Sequence, residues 1–161
     1  KEILDLTKRI QLITMEDTRF FHCNIKTLNL IPAVIASQRA KEAGCFESVF
    51  HRNGRVTECA HSNVHIIKNG MLITAPTDNL ILPGIARKHI IEACKEMNIV
   101  VKEEPFNLEQ LFDADEVLVS SAGALCLVAN QIDGKAVGGK ATELVSKLQN
   151  MLLRDFIDQT K

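Results

Sequence analysis

Apolar and polar residues follow two different periods along this chain, and each period predicts a kind of element. The run from Ile10 to Thr14 is rich in β-branched residues and predicts a first strand. After a turn at Glu16 and Asp17, the pattern predicts a second extended segment that ends near Lys26. Lys26 is therefore expected at the end of a strand.

Alternating segments farther along the chain predict hairpins. Asn53-Gly54 and Asn69-Gly70 interrupt two such segments, and Asn-Gly is a preferred centre of the type I′ turn. A third, hairpin-like pair is expected from Leu125 to Ile132, returning at Asp133-Gly134. The strands expected beside the first two turns are residues 46–51, 55–58, 64–67 and 71–74. The middle of the chain is thus predicted to be an antiparallel meander.

Helical spacing predicts a first helix that should cover a sheet. Asn29 is expected to cap it, Pro32 to lie in its first turn, and Gly44 to end it in a left-handed conformation. The end of the chain has apolar residues on helical spacing from Leu144 to Phe156 and predicts a terminal amphipathic helix.

The turn Pro83-Gly84 predicts a second long helix, from about Ile85 to Met97, that begins directly after a strand at residues 80–82. Its core-facing residues are expected to be Ile85, Ile90, Ile91, Cys94 and Met97. Smaller elements are expected at residues 99–101 and 116–121 (strands) and 108–112 (a helical turn). Together these elements predict one α+β domain.

Composition excludes several kinds of partner. The 161 residues contain no Trp or Tyr and carry a net charge of −1, which disfavours binding to nucleic acid. No apolar run is long enough to span a membrane and no leader is recognisable, so we expect a cytoplasmic protein. The chain starts with Lys1 rather than Met, and we expect it to be a piece of a longer protein.

Cysteine and histidine patterns predict neither disulfides nor a metal site. The five cysteines form no Cys-x-x-Cys pair and are best explained as reduced, buried thiols. His61 and His65 have the spacing of helical metal ligands, but both lie in a predicted strand region, where that spacing separates them. We therefore expect no metal.

Lys26 is a candidate nucleophile because Ile25 and Leu28 flank it. A lysine removed from water loses its proton more easily, and the free amine can attack an aldehyde. The alternative is a structural lysine whose head group reaches water at the end of a strand. By its local sequence alone, the structural alternative is favoured.

Two turns of small residues are candidate anion sites. Gly84 to Arg87 places free amides at the start of a helix, and Ser120 to Gly123 follows a strand, so the two turns can share one phosphate. The alternative for each turn is a structural role, in which its small residues only allow close packing or cap a helix. Glu58 ends a hairpin strand and is by itself best explained as a solvated carboxylate, although the small, polar residues 59–63 can lie along a flat ligand.

Four segments resemble, in order and spacing, the conserved blocks of the fold-type IV pyridoxal-phosphate enzymes. They are residues 19–29, 56–63, 82–87 and 119–123. Within that family the D-amino acid aminotransferases are most similar, through residues 25–30, the hairpin at 51–54 and the frame 115–134. The resemblance implies the α+β C-terminal domain of these enzymes, an antiparallel-rich sheet or pseudo-barrel flanked by helices, over residues 1–161.

The resemblance also implies a role for each candidate residue. Lys26 would bind the aldehyde carbon of pyridoxal 5'-phosphate and move the substrate's α-proton, while Glu58 would pair with the pyridine nitrogen. Leu82 would pack on the ring. The remaining implied cofactor-binding residues are Arg19, Gly84, Ile85, Ala86, Ser121 and Ala122. The implied reaction moves an amino group between a D-amino acid such as D-alanine and a 2-oxo acid such as 2-oxoglutarate.

Ala86 and Ala122 depart from the family, which commonly has threonines there, so two hydroxyl donors to the phosphate are lost. The resemblance is to the C-terminal domain alone, and we expect the family's smaller N-terminal domain to lie outside this piece. The resemblance implies a homodimer for the full-length protein. Within the family, 4-amino-4-deoxychorismate lyase and branched-chain aminotransferase stay open as alternatives. Outside it, a degenerate phosphate-binding domain without catalysis stays open.

Overall fold

The computed structural model describes residues 5–159, which contain nine strands and four helices. The helices are α1 (Ile31–Glu42), α2 (Ile85–Glu96), α3 (Leu108–Phe112) and α4 (Thr142–Gln159). The strands are β1 (Arg9–Glu16), β2 (Glu47–Arg52), β3 (Arg55–Cys59), β4 (Asn63–Lys68), β5 (Met71–Thr74), β6 (Val101–Glu103), β7 (Glu116–Ser120), β8 (Leu127–Ile132) and β9 (Lys135–Ala136).

The strands form one mixed sheet that curls into a half-barrel. Its order is β3-β2-β1-β8-β7-β4-β5-β6, with β9 beside β8. β1 runs parallel to both β2 and β8, and β5 runs parallel to β6, while the other pairs are antiparallel. The expected α+β fold with an antiparallel-rich, helix-flanked sheet is confirmed.

All three predicted turns are confirmed. At Asn53-Gly54, Asn69-Gly70 and Asp133-Gly134, both residues have positive φ angles between 48° and 83°. Asn, Asp and Gly tolerate this conformation better than other residues, so the turns follow directly from the local sequence.

The predicted meander is wrong in one respect, because β3 and β4 do not pair. β4 pairs instead with β7, with Asn63 opposite Ser120, so the two hairpins lie apart in the sheet order. Alternating hydrophobicity indicates that a segment is a strand but does not determine which other strand it pairs with. The partner is decided by apolar residues on both sheet faces, one cluster including Phe106 and Leu111 and the other including Ile90 and Leu148.

The first helix lies against β1 and β2 and approaches the sheet closely because its buried residues are Ala33, Ala36 and Ala40. Pro32 in the first turn and the left-handed Gly44, with φ of 68°, are as predicted. The predicted Asn29 cap is wrong. Leu30 occupies the cap position, and no side chain caps the helix.

The second long helix begins at Ile85, as predicted, and buries Ile90, Ile91 and Cys94, with Met97 packed against the same cluster. Ile85 is 73% exposed, which corrects its assignment to the core. It lies about 140° around the helix from Ile90 and so faces away from the sheet. Residues 80–82 complete a turn and continue irregularly, and they do not form the expected strand.

The segment between β1 and α1 has no regular secondary structure, so the predicted second strand ending near Lys26 is wrong. Asn79 holds its first part in place: the side-chain Nδ2 of Asn79 donates to the Phe21 carbonyl oxygen, and the backbone carbonyl oxygen of Asn79 accepts from the Cys23 amide. Within the described residues, no helix combines the length and the apolar composition that a membrane span needs.

Candidate active site

Glu58 is a buried carboxylate near the end of β3, only 5% exposed. Its Oε1 accepts a hydrogen bond of 2.6 Å from Arg19, and its Oε2 accepts bonds from Asn63 Nδ2 at 3.1 Å and from the Leu82 amide at 3.0 Å. The expectation from local sequence, a solvated carboxylate at a strand end, is therefore wrong. The three donors come from three separate segments and hold the carboxylate in one orientation.

Burial raises the pKa of Glu58 to about 7, with the positive charge and hydrogen bond of Arg19 opposing the shift. Removal from water penalises the charged carboxylate, and the adjacent guanidinium recovers part of that penalty. Glu58 is thus a group that can exist with or without its proton near neutral pH.

Arg19 lies between two carboxylates. Its Nε and one terminal nitrogen both donate to Asp17 at 2.9 Å, and the other terminal nitrogen donates to Glu58. The guanidinium also stacks on Phe50, with 4.6 Å between the guanidinium carbon and the ring centroid. Such a planar, bidentate arrangement suits arginine and not lysine.

Asn63 joins Glu58 to the turn before α2. Its Nδ2 donates to Glu58 and also to the Leu82 carbonyl oxygen at 2.9 Å. A Cβ atom at Gly84 would lie 2.3 Å from Asn63 Oδ1, so only glycine fits there. The first amides of α2, at Ile85 and Ala86, have no acceptor within the helix and lie beside this contact.

The second candidate anion turn lies next to the first. Ser120 is directly opposite Asn63 in the ladder between β7 and β4, and the turn from Ser121 to Leu125 follows it. Ala122, within this turn, is exposed. The structure thus brings together both predicted anion turns, Leu82 and Glu58.

His65 supports the second turn from beneath. Its Nε2 lies 2.8 Å from the Ser120 hydroxyl and its Nδ1 lies 2.8 Å from the Thr74 hydroxyl. Complete burial, with a smaller effect of the Arg87 charge, lowers the pKa of His65 to about 3. The ring is therefore neutral at physiological pH and serves as a hydrogen-bonded bridge across three strands.

Lys26 is exposed, and among the described residues no hydrogen bond or ion pair joins its ammonium to these side chains or to any other group. Ile25 is 55% and Leu28 is 96% exposed, so these neighbours do not remove the ammonium from water, and the alternative that local sequence favoured, a head group in water, is what the exposure shows. Local sequence placed Lys26 at a strand end, whereas it lies in the irregular segment before α1.

Eight large apolar side chains before and after Lys26, between Phe20 and Ile35, are exposed. We call this set of exposed side chains the lysine-side surface: Phe20, Phe21, Ile25, Leu28, Leu30, Ile31, Val34 and Ile35. Clusters of this kind on a protein surface mark sites of interaction.

Asp17, Arg52 and Asn63 belong to the site although sequence reasoning did not single them out. The local sequence predicts only a turn at Asp17 and a hairpin at Arg52. Asn63 lies in the small, polar stretch of residues 59–63 that is expected to lie along a flat ligand, and this stretch is the sequence feature that could have identified Asn63 as a site residue. Among the described residues, no group of three or more His, Cys, Asp or Glu side chains is arranged to hold a metal.

The fold and the site together define a class of protein. Residues 5–132 match the family described as amino-transferase class IV, and the chain belongs to this family. The resemblance read from its four sequence blocks is thereby confirmed.

Proteins with assigned names are among those similar to this chain. A D-alanine aminotransferase of Listeria innocua serovar 6a is 42% identical over 146 residues, which cover 90% of this chain and 50% of the relative. A Legionella pneumophila structure named as a putative 4-amino-4-deoxychorismate lyase has a TM-score of 0.84 at 25% identity, covering 92% of this chain and 56% of that one.

A branched-chain amino acid aminotransferase structure from Escherichia coli has a TM-score of 0.81 at 28% identity, covering 90% of this chain and 52% of that one. The chain spans about half the length of the curated relatives it matches.

Proposed function

We propose that the full-length protein is a pyridoxal-phosphate-dependent aminotransferase that moves an amino group between a D-amino acid, D-alanine in particular, and a 2-oxo acid such as 2-oxoglutarate. The observation that carries the proposal is the buried Glu58 carboxylate, fixed beside two turns with free amides. The D-alanine aminotransferase name of the Listeria innocua relative supports the choice of substrate.

The residues present fit the cofactor. Glu58 Oε1 accepts a single hydrogen bond within the described residues and so retains capacity for the N–H of a pyridine ring. Gly84, Ile85 and Ala86 on one side and Ser121 and Ala122 on the other offer amides for a phosphate. When bound, the cofactor supplies an electron-accepting ring.

The chain's own residues would perform the remaining steps. Glu58, in its ionised form, would pair with the ring nitrogen and favour the protonated state of that nitrogen, and Leu82 would cover one ring face. Lys26 would hold the cofactor through its aldehyde carbon and carry the proton to and from the substrate's α-carbon, as base and then acid.

We further propose that this chain is the C-terminal, cofactor-binding domain of a longer protein that is cytoplasmic and homodimeric, with neither nucleic acid nor membrane as partner. The coverage of half of each relative and the exposed lysine-side surface support a missing partner domain. Such a domain would remove Lys26 from water and supply further contacts to substrate and phosphate.

Two alternatives have support. The likeness to a structure named as a putative 4-amino-4-deoxychorismate lyase and to a branched-chain aminotransferase favours another reaction on the same site. Ala86 and Ala122 favour a degenerate domain without catalysis. Neither has a hydroxyl to donate to the phosphate, and each hydrogen bond to a charged oxygen that is lost costs about 1.5 to 3 kcal/mol of binding free energy.

One spectrum and one donor screen test the proposal. Full-length protein mixed with cofactor should show the visible absorption band of lysine-bound cofactor, Lys26→Ala should abolish it, and Lys147→Ala, at an exposed lysine on α4, should keep it. Absence of the band would refute the cofactor assignment. D-alanine should be a better amino donor than L-leucine, and the reverse order would favour the branched-chain alternative.

A further inference from the structure

Asp17 is a fully buried carboxylate directly after β1, and it collects five hydrogen bonds. Its Oδ1 accepts from the Arg19 amide at 3.1 Å and from Arg19 Nε at 2.9 Å. Its Oδ2 accepts from Arg19 at 2.9 Å, from Arg52 Nε at 3.1 Å and from the Thr57 hydroxyl at 3.0 Å. None of the side chain is exposed, and these bonds lower its pKa against the opposing effect of burial.

Arg52 completes this unit from the hairpin β2–β3. Besides its bond to Asp17, it donates to the carbonyl oxygens of Arg19 and Phe20, both at 2.9 Å, and its guanidinium lies 4.5 Å from the centre of the Phe21 ring. The irregular segment that leads toward Lys26 is therefore bound to the sheet at Arg19 and Phe20.

This geometry leaves the Arg19 guanidinium one orientation. Two of its three nitrogens are occupied by the Asp17 carboxylate, so the third is directed at Glu58 Oε1. A planar fork held at two points cannot rotate without breaking both bonds.

We propose that Asp17, braced by Arg52, is a positioning residue that holds the Arg19 guanidinium on the Glu58 carboxylate. The proposal rests on the proposed function, in which Glu58 faces the ring nitrogen of the cofactor. Asp17 acts through Arg19 and touches neither cofactor nor substrate.

The direction in which the pKa of Glu58 changes when Asp17 is replaced separates the positioning role from a simple effect of the Asp17 charge. The charged groups that face Glu58 are Arg19, which lowers the pKa of Glu58, and Asp17, which raises it. The nearby Cys23 and Cys59 thiols are neutral because burial raises the pKa of each. Loss of the Asp17 charge alone would lower the pKa of Glu58, whereas loss of the Arg19 orientation would raise it.

The test is a carboxyl ¹³C NMR titration of Glu58 in the full-length protein without cofactor, with the Glu58 signal assigned by its loss in Glu58→Gln. The Asn side chain in Asp17→Asn has one acceptor oxygen instead of two, so it cannot accept both hydrogen bonds from the Arg19 guanidinium. The pKa of Glu58 should then rise by about 1 unit relative to wild type. An unchanged or lowered pKa of Glu58 would overturn the proposal.

Two further variants keep the test decisive. Arg52→Lys preserves a positive charge but loses the bonds to the carbonyl oxygens of Arg19 and Phe20, and it should raise the pKa of Glu58 in the same direction. If Asp17→Asn does not fold, Arg52→Lys decides: a raised pKa of Glu58 would support the proposal, and an unchanged or lowered pKa would overturn it.

Glu116→Gln is the matched control, because Glu116 is also a buried carboxylate that anchors backbone, accepting from the amides of Gly139 and Ala141 at the far end of β7. It should leave the Glu58 titration unchanged, and a shift as large as that of Asp17→Asn would overturn the proposal. No cofactor is added, so the outcome for Asp17 stands apart from whether the protein transaminates.

Discussion

At the scale of single residues, the candidate site depends on close contacts between groups of different chemistry. Glu58, Arg19 and Asn63 meet in a largely buried space and are joined by hydrogen bonds there. A buried polar group without its partner costs far more than the pair contributes. Substitutions here should therefore have large and specific effects.

Gly84→Ala should destabilise the protein by about 1 to 3 kcal/mol, because the new methyl group would lie 2.3 Å from Asn63 Oδ1 and displace the side chain that holds Glu58. Denaturant unfolding of the full-length protein measures the loss. Gly123→Ala is the control, since nothing lies within 4 Å of its added methyl, and it should change stability by less than about 0.5 kcal/mol. Equal effects of the two would contradict the packing argument.

His65 should make the protein less stable in acid. The pKa of His65 is about 3 in the folded protein and 6.5 as a free side chain, so the unfolded state binds the extra proton between these values. Its contribution is complete above pH 6.5 and is lost as pH falls toward 3, at a slope approaching about 1.4 kcal/mol per pH unit.

The free energy of unfolding, measured against pH, should fall less steeply below pH 6.5 in His65→Gln than in the wild type. Comparing the two proteins over the same range removes the effects of other titrating groups. Parallel curves would show that His65 is already protonated in the folded state.

At the scale of elements, the small residues of α1 determine how closely it approaches the sheet. Ala33, Ala36 and Ala40 face β1 and β2, and the Ser48 hydroxyl donates to the Ala36 carbonyl oxygen at 2.7 Å. The helix follows directly after the irregular segment that carries Lys26, so its position also sets where that segment ends.

Ala36→Leu should cost about 1 to 3 kcal/mol in stability, because a larger side chain at a fully buried position would push α1 off the sheet and break the Ser48 bond. Lys41→Leu, which places the same side chain on the exposed face of α1, should be nearly neutral. Thermal unfolding of both variants compares them, and a neutral Ala36→Leu would mean that the helix is loosely packed.

At the scale of the whole molecule, the site is half open. Glu58 and the two amide turns are held within the chain, while Lys26 and the lysine-side surface face outward. Exposed apolar side chains of this kind, where they lie together, mark a site at which another domain or chain binds. This arrangement fits a cofactor site completed by a second domain, as we propose.

The isolated chain of 161 residues should bind cofactor weakly and show little or no transamination, because Lys26 is not enclosed. Cofactor absorption and D-alanine turnover, measured for the isolated chain and for the full-length protein, test this expectation. Turnover by the isolated chain at a rate close to that of the full-length protein would contradict it.

Local sequence determined the features that depend on neighbouring residues alone. Asn53-Gly54, Asn69-Gly70 and Asp133-Gly134 form turns because their backbones tolerate positive φ. Pro83-Gly84 precedes a helix with Gly84 in an extended conformation at the N-cap. The four sequence blocks likewise identified the family, because its motifs are short and contiguous.

Only the tertiary structure decided which strands pair and which charges meet. Separation of β3 from β4 and pairing of β4 with β7 depend on apolar faces far apart in the chain. The contacts of Asp17 with Arg52 and of Arg19 with Glu58 join residues 35 and 39 positions apart. Their strength comes from exclusion of water, a property of the packed molecule that no local pattern of residues reports.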